Sequence, residues 1–234
     1  MTEQTTPATK LMFLLWGADL GVRLHDPVLL DRLASVGVQR VQLNLDDAPV
    51  ADALRLQTFA DPVGAVLSAW TSQDARAVQQ VLEDALAGTD SRVAGYRVEE
   101  RRPLDPPESY DGSRADTLAN VAVLRRPDEL SREEWLHRWL EQHTPVAIET
   151  QATFGYLQNI VIEPLTSGAP RVDALVEELF PSAAIDDMHA FYGSGGDDEE
   201  LGRRITRLME SVARIGADRD LDLMPSSRYL FDLV

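Results

Sequence analysis

Trp135, Trp139 and His143 recur every fourth residue, a spacing that puts three side chains on one face of a helix. An imidazole near the end of such a helix, where the dipole favours a cation, is suited to move a proton near neutral pH. The proton could pass to or from a phenol or an enol, the kind of step that a positioned acid or base accelerates. The competing reading has His143 bond a free helix carbonyl while both tryptophans fill the core. Farther along, Tyr156 and Gln158 alternate with Leu157 and Asn159. In a strand the first pair faces one way with Phe154 and Ile160, and Asn159 faces the other with Leu157 and Val161. A tyrosine and an amide among apolar neighbours suit the orientation of an aromatic ligand in a mostly apolar pocket; a buried Tyr–Gln hydrogen bond that registers the sheet is the alternative. Residues 183–192 read as a strand, on which Asp187, His189 and Phe191 share a face. An Asp-x-His pair can orient an imidazole for base catalysis, or for a metal or haem iron.

Other chemistries are poorly supplied. The chain has four histidines, none in an HxH or HExxH arrangement, and no cysteine, so no metal site is expected, thiolate catalysis is excluded, and haem is left as a minor alternative to a cofactor-free site. His137, two positions from each tryptophan, is expected to face solvent. The glycine-rich GSGGDDEE carries four acids and lacks a Walker lysine, which makes it a solvated helix start rather than a phosphate loop. With 22 basic and 39 acidic residues the formal charge is −17, and a surface of that sign repels nucleic acid and anionic lipid. The run LMFLLW is too short for a membrane span or a signal segment, so a cytoplasmic protein is expected.

These residues need elements to hold them. Residues 1–10 read as a mobile polar tail, and residues 11–16 as a buried strand. Asp26 and Pro27 open a helix that Gly37 can close in a left-handed conformation. Residues 38–45 alternate as a strand, 62–70 form another, and a helix from Asp74 carries Val78, Val81, Leu82, Ala85 and Leu86 on one face. With 91–98 as a strand, the order is β-α-β-β-α-β, and a ferredoxin-like half spans 11–104. A Pro-rich, charged linker at 105–115 separates it from a second half over 116–234. There 118–124 is a strand, Ser131 and Glu134 form a capping box, 153–162 is a strand, 172–180 a helical insertion, 183–192 a strand, 201–212 a long helix and 228–233 a final strand. Two antiparallel sheets, each with helices on one face, must bury the other faces. Packed together they would make an α+β barrel enclosing the pocket.

The stretch LRRPDELSREEWLHRWLEQHTPVAIET with FGYLQNIVIEPL, residues 124–165, resembles the EthD family. In that family a helix written roughly S-x-E-E-F-x-x-x-W-x-x-x-H is followed by a strand bearing Tyr-x-x-Asn. Trp135, Trp139, His143, Tyr156 and Asn159 take those positions. IDDMHAFY is similar to the family's D-G-x-A-E-x-x-F, with Asp187 in the glycine position and His189 in that of the glutamate. The resemblance implies a dimeric α+β barrel relative, with cofactor-independent monooxygenases, polyketide cyclases and haem peroxidases as kin in fold. The expected function is that of an oxidoreductase or cyclase of bacterial degradative or secondary metabolism acting on a small hydrophobic or aromatic ligand. His143, His189 and Tyr156 are its candidate catalytic residues, and Trp139, Gln158, Asn159 and Asp187 its ligand contacts. A non-catalytic binding or accessory protein is the alternative. Duplication within the chain makes a monomeric pseudo-dimer as plausible as a homodimer.

Overall fold

A computed structural model describes residues 8–234; residues 1–7 of the expected tail lie outside the described residues, and Thr9 and Lys10 belong to the first strand. The fold is mixed α+β, built on a large antiparallel sheet. In chain order it contains β1 (Thr9–Trp16), α1 (Leu20–Leu24), α2 (Pro27–Ser35), β2 (Val38–Leu45), β3 (Ala65–Thr71), α3 (Ala75–Leu86) and β4 (Arg92–Leu104). Then follow β5 (Asp111–Arg114), β6 (Leu118–Leu124), α4 (Arg132–His137), a π-helical turn (Arg138–His143), α5 (Thr144–Thr150), β7 (Gly155–Pro164), β8 (Ala174–Phe180), α6 (Met188–Tyr192), α7 (Asp198–Arg214) and β9 (Leu221–Asp232).

Local chemistry sets most of these boundaries. Asp26 caps α2 by accepting from the Val28 amide at 2.9 Å, Pro27 occupies the first turn, and Gly37 at φ 85° ends the helix where a side chain would be strained. Asp74 caps α3 in the same manner, accepting from the Arg76 amide. Asp197 caps α7, whose first turn holds Asp198, Glu199 and Glu200 and whose last holds Arg214, the charge order the helix dipole favours.

Three expected elements take other forms. Residues 172–180 contain strand β8, not a helix. Ala, Leu and Glu favour helix in isolation, but ALVEELF pairs with β6 on one side and β7 on the other, and tertiary pairing overrides propensity. Residues 183–192 hold a 3₁₀ turn (Ser182–Ile185) and helix α6 rather than a strand. Asp187 accepts from the His189 amide at 2.7 Å and so starts a helix. Within the expected linker, β5 pairs with β9.

The strands are ordered β2-β3-β1-β4-β7-β8-β6-β9-β5, and β9 also pairs with β2. One cluster of buried side chains combines Met12, Leu14, Val66 and Tyr96 from the first half with Val121, Val123, Leu175 and Met224 from the second. Alternate residues of the same strands face outward under helices. Leu11, Phe13 and Leu15 meet α1, α2 and α3 in one cluster, and Ala122, Leu124 and Val176 meet α4 to α7 in another. Charged groups fill another part of the inward face. Glu177, 2% exposed, accepts from Asn44 at 2.8 Å, from Gln42 at 2.9 Å and from Arg228 at 3.1 Å. The space between the inward faces is thus packed with side chains, which corrects the expectation of a pocket there.

Candidate active site

The cavity lies on the opposite, helical side of the second half. Its floor is a row of three residues in register across adjacent strands: Asn120 on β6 pairs with Glu178 on β8, which pairs with Tyr156 on β7. Directly opposed residues of antiparallel strands hold their Cβ atoms roughly 5 Å apart. Carboxyl, amide and phenol are therefore neighbours. In the first half the helix-facing rows are apolar, Phe13–Leu67–Leu43 among them, and each of these three is fully buried.

The roof comes from the α4–α5 segment. Ser131 Oγ accepts from the Glu134 amide at 3.1 Å and starts α4, while the Glu134 carboxylate pairs with Arg138 rather than completing a reciprocal box. Four residues beyond Glu141, Pro145 has no N–H to give its carbonyl. The backbone widens into the π turn Arg138–His143, and Thr144 Oγ1 donates to the Trp139 carbonyl at 2.9 Å. Turns of this kind recur where a helix contributes to a site. Here Trp139 and His143 both belong to the turn and both line the cavity. Trp135 lies behind them, stacked on Trp139 at 5.2 Å between centroids, its indole N–H donating to the Ile215 carbonyl.

Between floor and roof is a cavity of about 290 Å³, walled also by Phe191 and Tyr192 of α6 and by Leu208 and Val212 of α7. That volume is at the lower end for a pocket that takes a small organic molecule. Among the described residues no group of three or more acidic or histidine side chains converges as a metal site would.

The electrostatics separate His143 from Glu178. Burial pushes His143 down to about 4, and its Nδ1 lies 3.0 Å from Ser211 Oγ, so at neutral pH the ring is uncharged. Burial pushes Glu178 up to about 7. Part of its surface remains open, toward the cavity it lines, but the surrounding protein replaces most of the water a carboxylate needs. With its amide nitrogen turned toward acceptors, Gln151 donates to Glu178 Oε1 at 3.1 Å. Tyr156 and Tyr192 are both raised, first by burial and then by the nearby Glu178 charge. Two buried polar atoms of lining residues lack a partner, Trp139 Nε1 and Asn120 Oδ1. Both are closed off by neighbouring side chains, Trp139 being 0% and Asn120 1% exposed, so neither atom opens onto the cavity.

Of the residues singled out in the sequence, the cavity brings together His143, Tyr156 and Trp139. Gln158 is fully buried behind the π turn, donating to Thr144 Oγ1 at 2.7 Å. Asn159 faces inward and donates to the Leu175 carbonyl at 3.2 Å. Asp187 caps α6 at the surface, and His189 bonds Ser194 Oγ at 2.6 Å with its other nitrogen toward exposed Asp198. These four lie outside the cavity; for Asp187 and His189 the reason is that the helical turn at 188–192 replaces the strand alternation that would have aligned them. Glu178, Asn120, Gln151 and Tyr192 also line the cavity, and no motif or spacing in the sequence singles them out. The adjacent acids Glu177 and Glu178 inside the apolar run ALVEELF were the available signal, since two carboxyls in a buried strand each need a reason.

Residues 127–200 match the model of the EthD domain. Comparison with curated proteins found no match. Among solved structures, the chain is similar to an anthrone oxidase-like protein, with 10% identity and a TM-score of 0.52 over 97% of this chain and 94% of that one. It is also similar to a candidate monooxygenase from Fusobacterium nucleatum, with 8% identity and a TM-score of 0.48 over 98% and 95% of the two chains. The first likeness is one of fold. Among the described residues no helix is long and apolar enough to cross a membrane.

Proposed function

The second half of this chain carries an EthD domain at residues 127–200, and from that premise we propose an oxidoreductase-type enzyme that takes a small hydroxylated or enolisable aromatic into the helix-side cavity, with Glu178 as its proton carrier. The observation that carries this reading is a carboxyl held at about 7 by burial in a largely apolar cavity. A group with that pKa is present in both protonation states at neutral pH, the condition under which an acid or base works best. His143, uncharged and bonded to Ser211, serves as a positioning group rather than as the base. Glu178 therefore joins His143, Tyr156 and Trp139 at the cavity, while His189, Asp187, Gln158 and Asn159 take no part in it.

The reaction class follows from the groups present. Glu178 as carboxylate takes a proton from an acidic C–H or O–H and leaves a delocalised anion on the substrate. The delocalised anion is then open to oxidation by dioxygen. For an activated CH₂ that becomes a carbonyl, one oxygen atom stays in the product and the other leaves as water with the two hydrogens. The anthrone oxidase-like neighbour supports that class as an analogy of fold.

The same reading extends to the architecture. We read the strand orders β2-β3-β1-β4 and β7-β8-β6-β9 as two ferredoxin-like halves, and the β4–β7 and β2–β9 pairings as the seams that close them into an α+β barrel. One chain then supplies what two would otherwise contribute, and a monomeric pseudo-dimer is the expected assembly.

Anthrone is the first probe. Oxygen uptake by the wild-type protein should fall roughly 10²–10⁴-fold in Glu178→Gln, the span that a general acid or base contributes. Binding without turnover in the wild type would indicate a ligand-binding protein, and turnover unchanged in Glu178→Gln would remove Glu178 from the mechanism.

A further inference from the structure

Two residues at the cavity, Leu54 and Leu56, come from the first half, outside the stretch that matches the EthD model. They are 54% and 45% exposed, and Met209 of α7, which lines the same cavity, is 46% exposed. Large apolar side chains left open to water, grouped rather than scattered, mark a binding surface. The segment that carries them is fixed to the second half. Val50 and Ala53 are buried in that half's helix-side cluster. Leu56 and Leu223 exchange backbone hydrogen bonds at 3.2 and 2.9 Å. Just beyond, the Thr58 and Phe59 amides donate to Asp222 Oδ1 at 2.7 and 3.0 Å. The backbone is thus anchored on both sides of two leucines whose side chains remain uncovered.

We infer that this segment, residues 50–57, is the selectivity wall of the cavity, and that Leu54 and Leu56 together with Met209 bind the apolar end of a ligand whose oxygen-bearing end lies at Glu178. The inference rests on the proposed function and narrows its substrate class. A single phenolic ring would be accommodated by the inner row alone. A fused polycyclic ketone or phenol would reach from the row to the mouth and cover the three exposed side chains. The first half, whose helix-facing rows are apolar and filled, contributes this wall in place of a polar row of its own.

The test is titration calorimetry under nitrogen with two probes, phenol and anthrone, on the wild type, Leu54→Ala/Leu56→Ala and the control Asp52→Ala, an exposed residue of the same loop that does not line the cavity. Both leucine side chains are largely exposed and the anchoring bonds of Leu56 are backbone bonds, so the double variant should fold as the wild type does. It should weaken anthrone roughly tenfold, about 1.4 kcal/mol, change phenol by less than about twofold, and leave both probes unchanged in the control. Equal weakening of both probes, or of neither, overturns the inference and leaves the role of Glu178 standing. Selective weakening in the loop variant alongside full turnover in Glu178→Gln has the opposite meaning: the wall stands and the catalytic reading falls. A wild type that binds neither probe overturns both.

Discussion

Replacing Glu178 by Gln should stabilise the protein at alkaline pH and leave it nearly unchanged in acid. Burial raises this carboxyl from 4.5 to about 7, so between those values the folded state holds a proton that the unfolded state has released. Stability then falls as pH rises through that window. At about 1.36 kcal/mol for each tenfold in proton affinity, the full difference is about 3 kcal/mol, present below pH 4.5 and lost above about 7. Glutamine keeps the shape, can still accept from the Gln151 amide, and has no charge to desolvate. For a chain of this size about 3 kcal/mol corresponds to roughly 6–12 °C in melting temperature. Differential scanning calorimetry of wild type and Glu178→Gln at pH 8 and pH 4 should therefore give a large gap at pH 8 and little at pH 4. A variant that melts lower at pH 8, or by the same offset at both pH values, would show that the carboxyl is not held protonated by burial and would remove the physical basis for its role.

Burial acts on His143 with the opposite sign. Its ring is lowered from 6.5 to about 4, so the unfolded chain takes up a proton first and stability falls as pH drops through that interval. In the wild type the two slopes oppose each other between about pH 4.5 and 6.5. Denaturant titrations should show the acid limb flattened in His143→Gln, together with a general loss of about 1–2 kcal/mol from the weakened contact with Ser211. Arg228→Ala should cost roughly 3–5 kcal/mol, because it leaves Glu177 buried without its charge partner; Glu177→Gln in the same background should recover part of that loss, and no recovery would mean that packing rather than charge dominates there.

Much of the frame could be read from short-range chemistry. Asp26, Pro27 and Gly37 mark both ends of α2, Asp74 and Ser131 act locally as caps, and the alternation VQRVQLNL coincides with β2. The inward and outward sets of β7 were separable because a strand alternates whatever its surroundings. The side of the sheet that holds the cavity was not legible, because it depends on which of two buried faces is filled solid, and that is decided by volumes brought together from distant segments. ALVEELF reads as helical for a related reason: a strand covered on both faces has no apolar–polar alternation, and its composition then resembles that of a helix. A strand over 183–192 would align Asp187 with His189, whereas the 3₁₀ turn and α6 found there leave both outside the cavity, and strand β8 brings Glu178 to it instead. The π turn, which depends on Pro145 and on the Thr144 hydroxyl, has no signature in a heptad or four-residue spacing. It nevertheless left Trp139 and His143 on the face that their spacing implied.

The protonation of Glu178 is the point on which the functional account depends. Carbon-13 NMR of the glutamate side-chain carboxyls, with Glu178→Gln to assign the resonance, follows it without reference to any substrate. A midpoint near 7, shifting when anthrone is added, is the expected result. A carboxyl that titrates near 4.5 and ignores the ligand would contradict it.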